Sequence, residues 1–215
     1  MAQIFSQSTD KLLKGAGLLA PLALVGVVAA ISYWWSPDFT DVGYQPAQPV
    51  PFSHKLHAGD LGLDCRYCHN TVEQSASAAI PPTQTCMNCH GFVGTDSKDL
   101  APVRTSWEQG TPIEWTRVHM LPDYAFFDHS AHVSVGVGCA SCHGRIDQMD
   151  EVYQHASLSM TWCLDCHRNP GPNLRPLDEV TNMAYDASAA GYDPTTDAER
   201  TRPLSPPLHC SGCHR

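Results

Sequence analysis

The sequence predicts a helical chain in two parts: one N-terminal transmembrane helix, then a mostly irregular extracytoplasmic domain of short helices with negligible strand. Three observations predict it. A charge-free apolar run covers Gly15–Trp35, seventeen prolines and fifteen glycines punctuate 215 residues, and ten cysteines fall into five pairs at one spacing. Prolines and glycines at that density break up long helices beyond the N-terminus. The 42% apolar content keeps the chain out of the disordered class. Thirteen Lys+Arg against twenty-two Asp+Glu give a net charge of −9, which excludes a nucleic-acid partner, since that role needs a basic face.

The apolar run GAGLLAPLALVGVVAAISYWW is twenty-one residues long, and at a rise of ~1.5 Å per residue it spans roughly 31 Å, enough for the hydrocarbon core. Lys11 and Lys14 precede it, and Asp38 and Asp41 follow it with no Lys or Arg before Lys55. That bias leaves residues 1–14 in the cytoplasm, makes 15–35 a single-pass inner-membrane helix and puts 36–215 outside, in the periplasm. Tyr33, Trp34 and Trp35 fall at the membrane interface, where amphipathic rings anchor a helix in the lipid headgroups. Val28-Ala29-Ala30 resembles a signal-peptidase site, but the run exceeds an ordinary signal-peptide h-region, so a retained signal-anchor is expected. Pro21 is expected to bend this helix.

The cysteine pairs are Cys65/Cys68, Cys86/Cys89, Cys139/Cys142, Cys163/Cys166 and Cys210/Cys213, each followed at once by His69, His90, His143, His167 or His214. Five copies of C-x-x-C-H use every cysteine. This is the attachment pattern of c-type haem, with two thiols adding to the vinyl groups on one porphyrin edge and the histidine reaching the iron. Structural zinc would take four ligands from paired knuckles and gives no reason for a histidine after every second cysteine. Vicinal pairs also make a poor disulfide framework. The fold class is therefore a multihaem cytochrome c organised around five covalent haems. Covalent attachment outside the cytoplasm agrees with the orientation read from charge.

The motif histidines are separated by 21, 53, 24 and 47 residues, so short and long gaps alternate. Phe52-Ser53-His54-Lys55-Leu56-His57 precedes the first short-gap pair, and Phe127-Asp128-His129-Ser130-Ala131-His132 precedes the second. Residues 50–90 and 125–167 thus read as two copies of a di-haem module, followed by a Pro-rich, acidic connector at 168–208 and the fifth haem at 209–215. Roughly 36 residues serve each haem, too few to bury each porphyrin separately, so the haems pack against one another and replace an aliphatic core.

Seven histidines remain for the second axial position: His54, His57, His119, His129, His132, His155 and His209. One iron has one distal position, so the two histidines of each H-x-x-H serve different haems, one the haem that follows and the other an adjacent one. His119 is the best fifth candidate. His155 is weaker, and His209 abuts Cys210 too closely to reach the far side of its own haem. Met149 or Met160 could replace one histidine, and a methionine ligand raises the reduction potential. Met87 and Met183 read as packing residues. With both axial positions filled, the chain holds no catalytic residue.

These residues bring a family into view. Phe52–His69, Ile80–His90, Ser159–Arg168, the single anchor and the five motifs resemble the pentahaem cytochrome subunit of bacterial alternative complex III, a quinol:acceptor oxidoreductase. The resemblance covers residues 12–215 and is most specific between 50 and 170. It implies an electron-transfer subunit that is no enzyme by itself and binds no quinol, passing electrons to a periplasmic acceptor such as cytochrome c. Its implied partners are an iron–sulfur subunit, polytopic quinol-binding subunits, a monohaem cytochrome c and membrane lipid. It also implies that His54, His57, His119, His129 and His132 are axial ligands.

Two other classes compete with that reading. An anchored tetrahaem quinol dehydrogenase typically carries methionine two residues after its first motif, where this chain has Thr71, and has four motifs instead of five. A multihaem nitrite or hydroxylamine reductase needs an open axial site, and here distal candidates outnumber the motifs. The stretch Asp178–Glu199 holds six acids, Asp178, Glu179, Asp186, Asp193, Asp197 and Glu199, before Arg200. It reads either as a solvated loop or as a contact surface for a partner or basic electron carrier.

Overall fold

A computed structural model describes residues 6–197 and 204–215. Glu199 and Arg200 of the acidic stretch, and the first five residues of the N-terminal segment, lie outside the described residues. The chain divides into two units, residues 1–41 and 42–215.

In the first unit, α1 runs Gln7–Trp34 and α2 runs Pro37–Thr40. Ser6 caps α1 by accepting a hydrogen bond from the Thr9 amide at 3.2 Å, satisfying one of the free donors of the first turn. Asp10 sits in that turn, where the helix dipole favours an acid, and pairs with Lys14 at 2.7 Å. These polar contacts start the helix eight residues before the apolar run begins. Pro21 lies inside α1, none of whose residues is buried. By length and composition α1 is able to cross a membrane.

The second unit is built from short elements. They are α3 (Cys65–Cys68), α4 (Thr83–His90), α5 (Ala101–Gln109), α6 (His129–Val133), α7 (Ala140–His143), α8 (Met160–Arg168) and α9 (Ala187–Ala190), with a π-helical turn at Lys55–Asp60. Among the described residues there is no strand, only the isolated antiparallel bridges Ala125–His214 and Val137–Leu174. The longest helices beyond α1 have nine residues, as the glycine and proline density requires. α5 shows how local chemistry sets the bounds. It opens with Pro102 in its first turn and closes at Gly110, whose φ of +65° ends the helix in the left-handed region. Thr83 of α4 and Ser106 of α5 share a hydrogen bond at 2.6 Å.

Buried apolar side chains are few: Val50, Val103, Met149, Ala156, Leu174, Val180 and Met183. That is a small core for some 170 residues. What lies between the elements is cysteine and histidine.

Candidate functional site

Each C-x-x-C-H motif sits on a single helical turn, which places two thiols at i and i+3 and the imidazole at i+4 on one face. α3, α4, α7 and α8 carry the first four motifs, and a 3-10 turn at Cys210–Gly212 carries the fifth. The first motif is held by Asp64, which caps α3 through the Arg66 amide at 2.8 Å and meets the Arg66 guanidinium twice, at 2.8 and 2.9 Å. The Arg66 hydrogen bond holds the Asp64 carboxyl down at about 2. Ser159 caps α8 through the Trp162 amide.

The two F-x-H-x-x-H segments have the same geometry. Phe52 stacks on His57 with ring centres 4.4 Å apart and meets His54 edge-on at 4.8 Å. Phe127 stacks on His132 at 4.5 Å and meets His129 edge-on at 4.8 Å. One aromatic therefore orients both imidazoles of its pair. The sequence repeats this Phe, but only the ring contacts reveal its role. The backbone differs between the copies: a π-helical turn follows His54, whereas His129 opens α6, capped by Asp128.

Seven histidines donate Nδ1–H to a backbone carbonyl. His57 reaches Ser53 at 2.8 Å, His132 reaches Asp128 at 2.7 Å, and His129 reaches Ala76 at 2.8 Å. Of the motif histidines, His69 reaches Ala79 and His167 reaches Pro207, each at 2.7 Å, while His90 reaches Val93 and His214 reaches Tyr124, each at 3.0 Å. A carbonyl only accepts, so each of these rings is fixed as the Nδ1–H tautomer with the Nε2 lone pair free. That is the arrangement of an imidazole held for a metal. His119 leaves Nε2 buried without a partner, and the buried Nδ1 atoms of His54 and His143 are unpartnered.

Whether an iron fits between facing histidines is a question of length. A metal–imidazole bond runs about 2.0–2.1 Å, and a five-membered ring of ~1.35 Å bonds has its centre about 1.15 Å behind the nitrogen. Two imidazoles on opposite faces of one iron therefore have centres about 6.3 Å apart. His57 and His90 are 6.2 Å apart, His132 and His167 6.1 Å, and His129 and His143 6.4 Å. His119 stands 4.5 Å from His143, too close for an iron between them. The residues fit the group that the motifs imply.

Burial, with neighbouring imidazoles second, pushes His143 down to about 3 and His54 down to about 4. Burial also lowers His119 and His132. All four are neutral near pH 7, the form that ligates. His54, His69, His119, His129 and His143 form one central group of interacting imidazoles. His155 is exposed and lies against Gly144, and His209 is exposed beside its own motif. Met149 is buried, with its carbonyl accepting from the Lys55 amide, whereas Met160, the first residue of α8, is 65% exposed.

The ten thiols are unpaired. Burial first, and neighbouring thiols second, pushes Cys142 up to about 12 and raises Cys68 and Cys163. Cys65 and Cys139 share a hydrogen bond that lowers the first and raises the second.

Comparison with known proteins adds three findings. Residues 50–103 match the family of cytochrome c7 and related cytochrome c. The chain is 31% identical over 175 residues to the multihaem cytochrome c subunit of menaquinone reductase from Nitratidesulfovibrio vulgaris, covering 71% of this chain and 82% of that protein. It is 20% identical over 258 aligned positions to the high-molecular-weight cytochrome c of the same organism, covering 94% of this chain and 44% of the relative.

Proposed function

The chain belongs to the multihaem cytochrome c family, and on that premise we propose that it relays electrons through five covalent haems in a quinone-linked respiratory membrane complex. One observation carries the reading: in both modules the second histidine of F-x-H-x-x-H faces the second motif's histidine at the separation of two ligands on one iron. Bound haem supplies a one-electron iron couple whose potential the axial ligands and surroundings tune. The chain's own residues do the rest. The ten cysteines tether, and the five motif histidines take one axial position each. His57, His132 and His129 take the other at the groups of His90, His167 and His143. His54 stands to His69 as His129 stands to His143, by equivalence of the modules. The carbonyls of Ser53, Asp128 and Ala76 hold Nδ1–H and aim Nε2. Filled axial positions leave no open site for substrate, which favours outer-sphere transfer over catalysis.

The quinone link rests on the relative named as a subunit of menaquinone reductase. The direction of flow belongs to the potentials of the partners, so one relay serves quinone reduction or quinol oxidation. The finer reading is the pentahaem subunit of an alternative complex III, with α1 as anchor, the cysteine-bearing unit in the periplasm, and iron–sulfur, polytopic and monohaem subunits as partners. The charge bias around α1 and the motif segments support it.

Purification of the mature chain, alone and within its complex, tests the proposal. The expected results are five haem additions in the intact mass, low-spin spectra, and reduction by menaquinol in the complex but not in the isolated chain. A bare polypeptide mass, or menaquinol oxidation by the chain alone, overturns it.

A further inference from the structure

The order of the five motifs along the chain is not their order in space. We infer that the haem groups are strung in the order His90, His69, His143, His167, His214, so that electrons enter and leave at the ends set by the second and fifth motifs. The inference rests on the reading that every motif holds a haem.

Contacts at each junction carry it. The first and second motifs meet where Asn88 of α4 donates to the Tyr67 hydroxyl of α3 at 3.1 Å. The first and third meet through the Cys65–Cys139 hydrogen bond. A second tie runs alongside, since Thr181 donates to Asp64 at 3.0 Å while its neighbour Val180 accepts from the Cys139 amide at 3.1 Å. The third and fourth are joined by Asn173, whose carbonyl accepts from the Gly138 amide and whose side chain reaches Cys166 Sγ at 3.5 Å. The fourth and fifth meet where His167 donates to the carbonyl of Pro207, three residues before Cys210. Each thiol that senses thiols of another motif obeys the same order: Cys68 senses Cys86 and Cys89, Cys142 senses Cys163 and Cys166, and Cys163 senses Cys213.

The modules therefore join head to head. The first motif of each module, with the central imidazole group between them, forms the middle of the string. The long 53-residue gap returns the chain from the second motif to the centre, and His129 and Ser130 bind the Ala76 and Ser75 carbonyls of the loop behind the first motif. Exposure agrees independently. Of the ten cysteines only Cys89 and Cys210 are exposed, one from each end motif. Beside Cys89 lie Phe92, 89% exposed, and Val93, 61% exposed, and Leu208 is 56% exposed beside the other end.

Iron positions in the haem-loaded complex decide the matter, from an anomalous map at the iron edge or from cryo-electron microscopy. The expected result places the iron tethered by Cys65/Cys68 between those tethered by Cys86/Cys89 and Cys139/Cys142, with the Cys210/Cys213 iron at the far end. The Cys86/Cys89 iron lying in the middle, as chain order would have it, overturns the inference while five irons still stand. Fewer than five irons overturns the five-haem reading beneath it.

Discussion

Replacing His57 with alanine removes one axial ligand and little else. The ring lost stands 6.2 Å from His90, stacks on Phe52 and donates Nδ1–H to Ser53. An aromatic stack is worth about 0.5–1.5 kcal/mol and a hydrogen bond about 1 kcal/mol, so the polypeptide loses about 2 kcal/mol. At about 2–4 °C per kcal/mol for a domain of this size, the melting temperature falls about 4–8 °C and the protein stays folded. The spectral change is larger in kind. One haem in five changes from six- to five-coordinate, so low-spin intensity in EPR falls by one-fifth and a high-spin signal that binds cyanide appears. His155→Ala, at an exposed imidazole, is the control and leaves the spectrum unchanged. A His57→Ala protein with undiminished low-spin intensity refutes the pairing, whatever its stability.

The module symmetry predicts the same one-fifth loss for His132→Ala and an additive two-fifths for the double variant, read in the same spectra. Asp64→Asn removes a carboxylate held at about 2 against the usual 3.8; full protection would make that worth about 2 kcal/mol, and solvent screening at this exposed site reduces it to about 1 kcal/mol. Because the folded value is the lower one, this stabilisation is complete above pH 3.8 and disappears as pH falls through about 2, so acid unfolding curves of the two proteins converge at the acid end. Leu174→Ala empties a site that is 1% exposed and costs about 3–5 kcal/mol in chemical denaturation. Gly144→Ala puts a Cβ 2.5 Å from the His155 ring at a φ of +62° and costs about 1–3 kcal/mol by the same measurement.

The contrast between motif and pairing shows where sequence reasoning stops. Five C-x-x-C-H turns, the duplicated F-x-H-x-x-H segments, the short helices and the apolar N-terminal run were all legible, because each depends on residues within one or two helical turns. The ring-orienting role of Phe52 and Phe127 was half legible, as a repeated residue without an assigned task. His119 illustrates the opposite case. Its position just ahead of the second module made it the best fifth ligand by elimination, but the fold sets it 4.5 Å from His143 within a crowded central group.

What residue order determined by itself was chemistry at short range: which thiols pair, which histidine follows them, where a helix must break. Tertiary structure alone decided which imidazoles face each other and which motifs touch. Those contacts join residues as distant as Asp64 and Thr181, and no local spacing encodes them. They arise because a chain with seven buried apolar side chains must close around its cysteine- and histidine-bearing turns, and the way those turns meet sets the path.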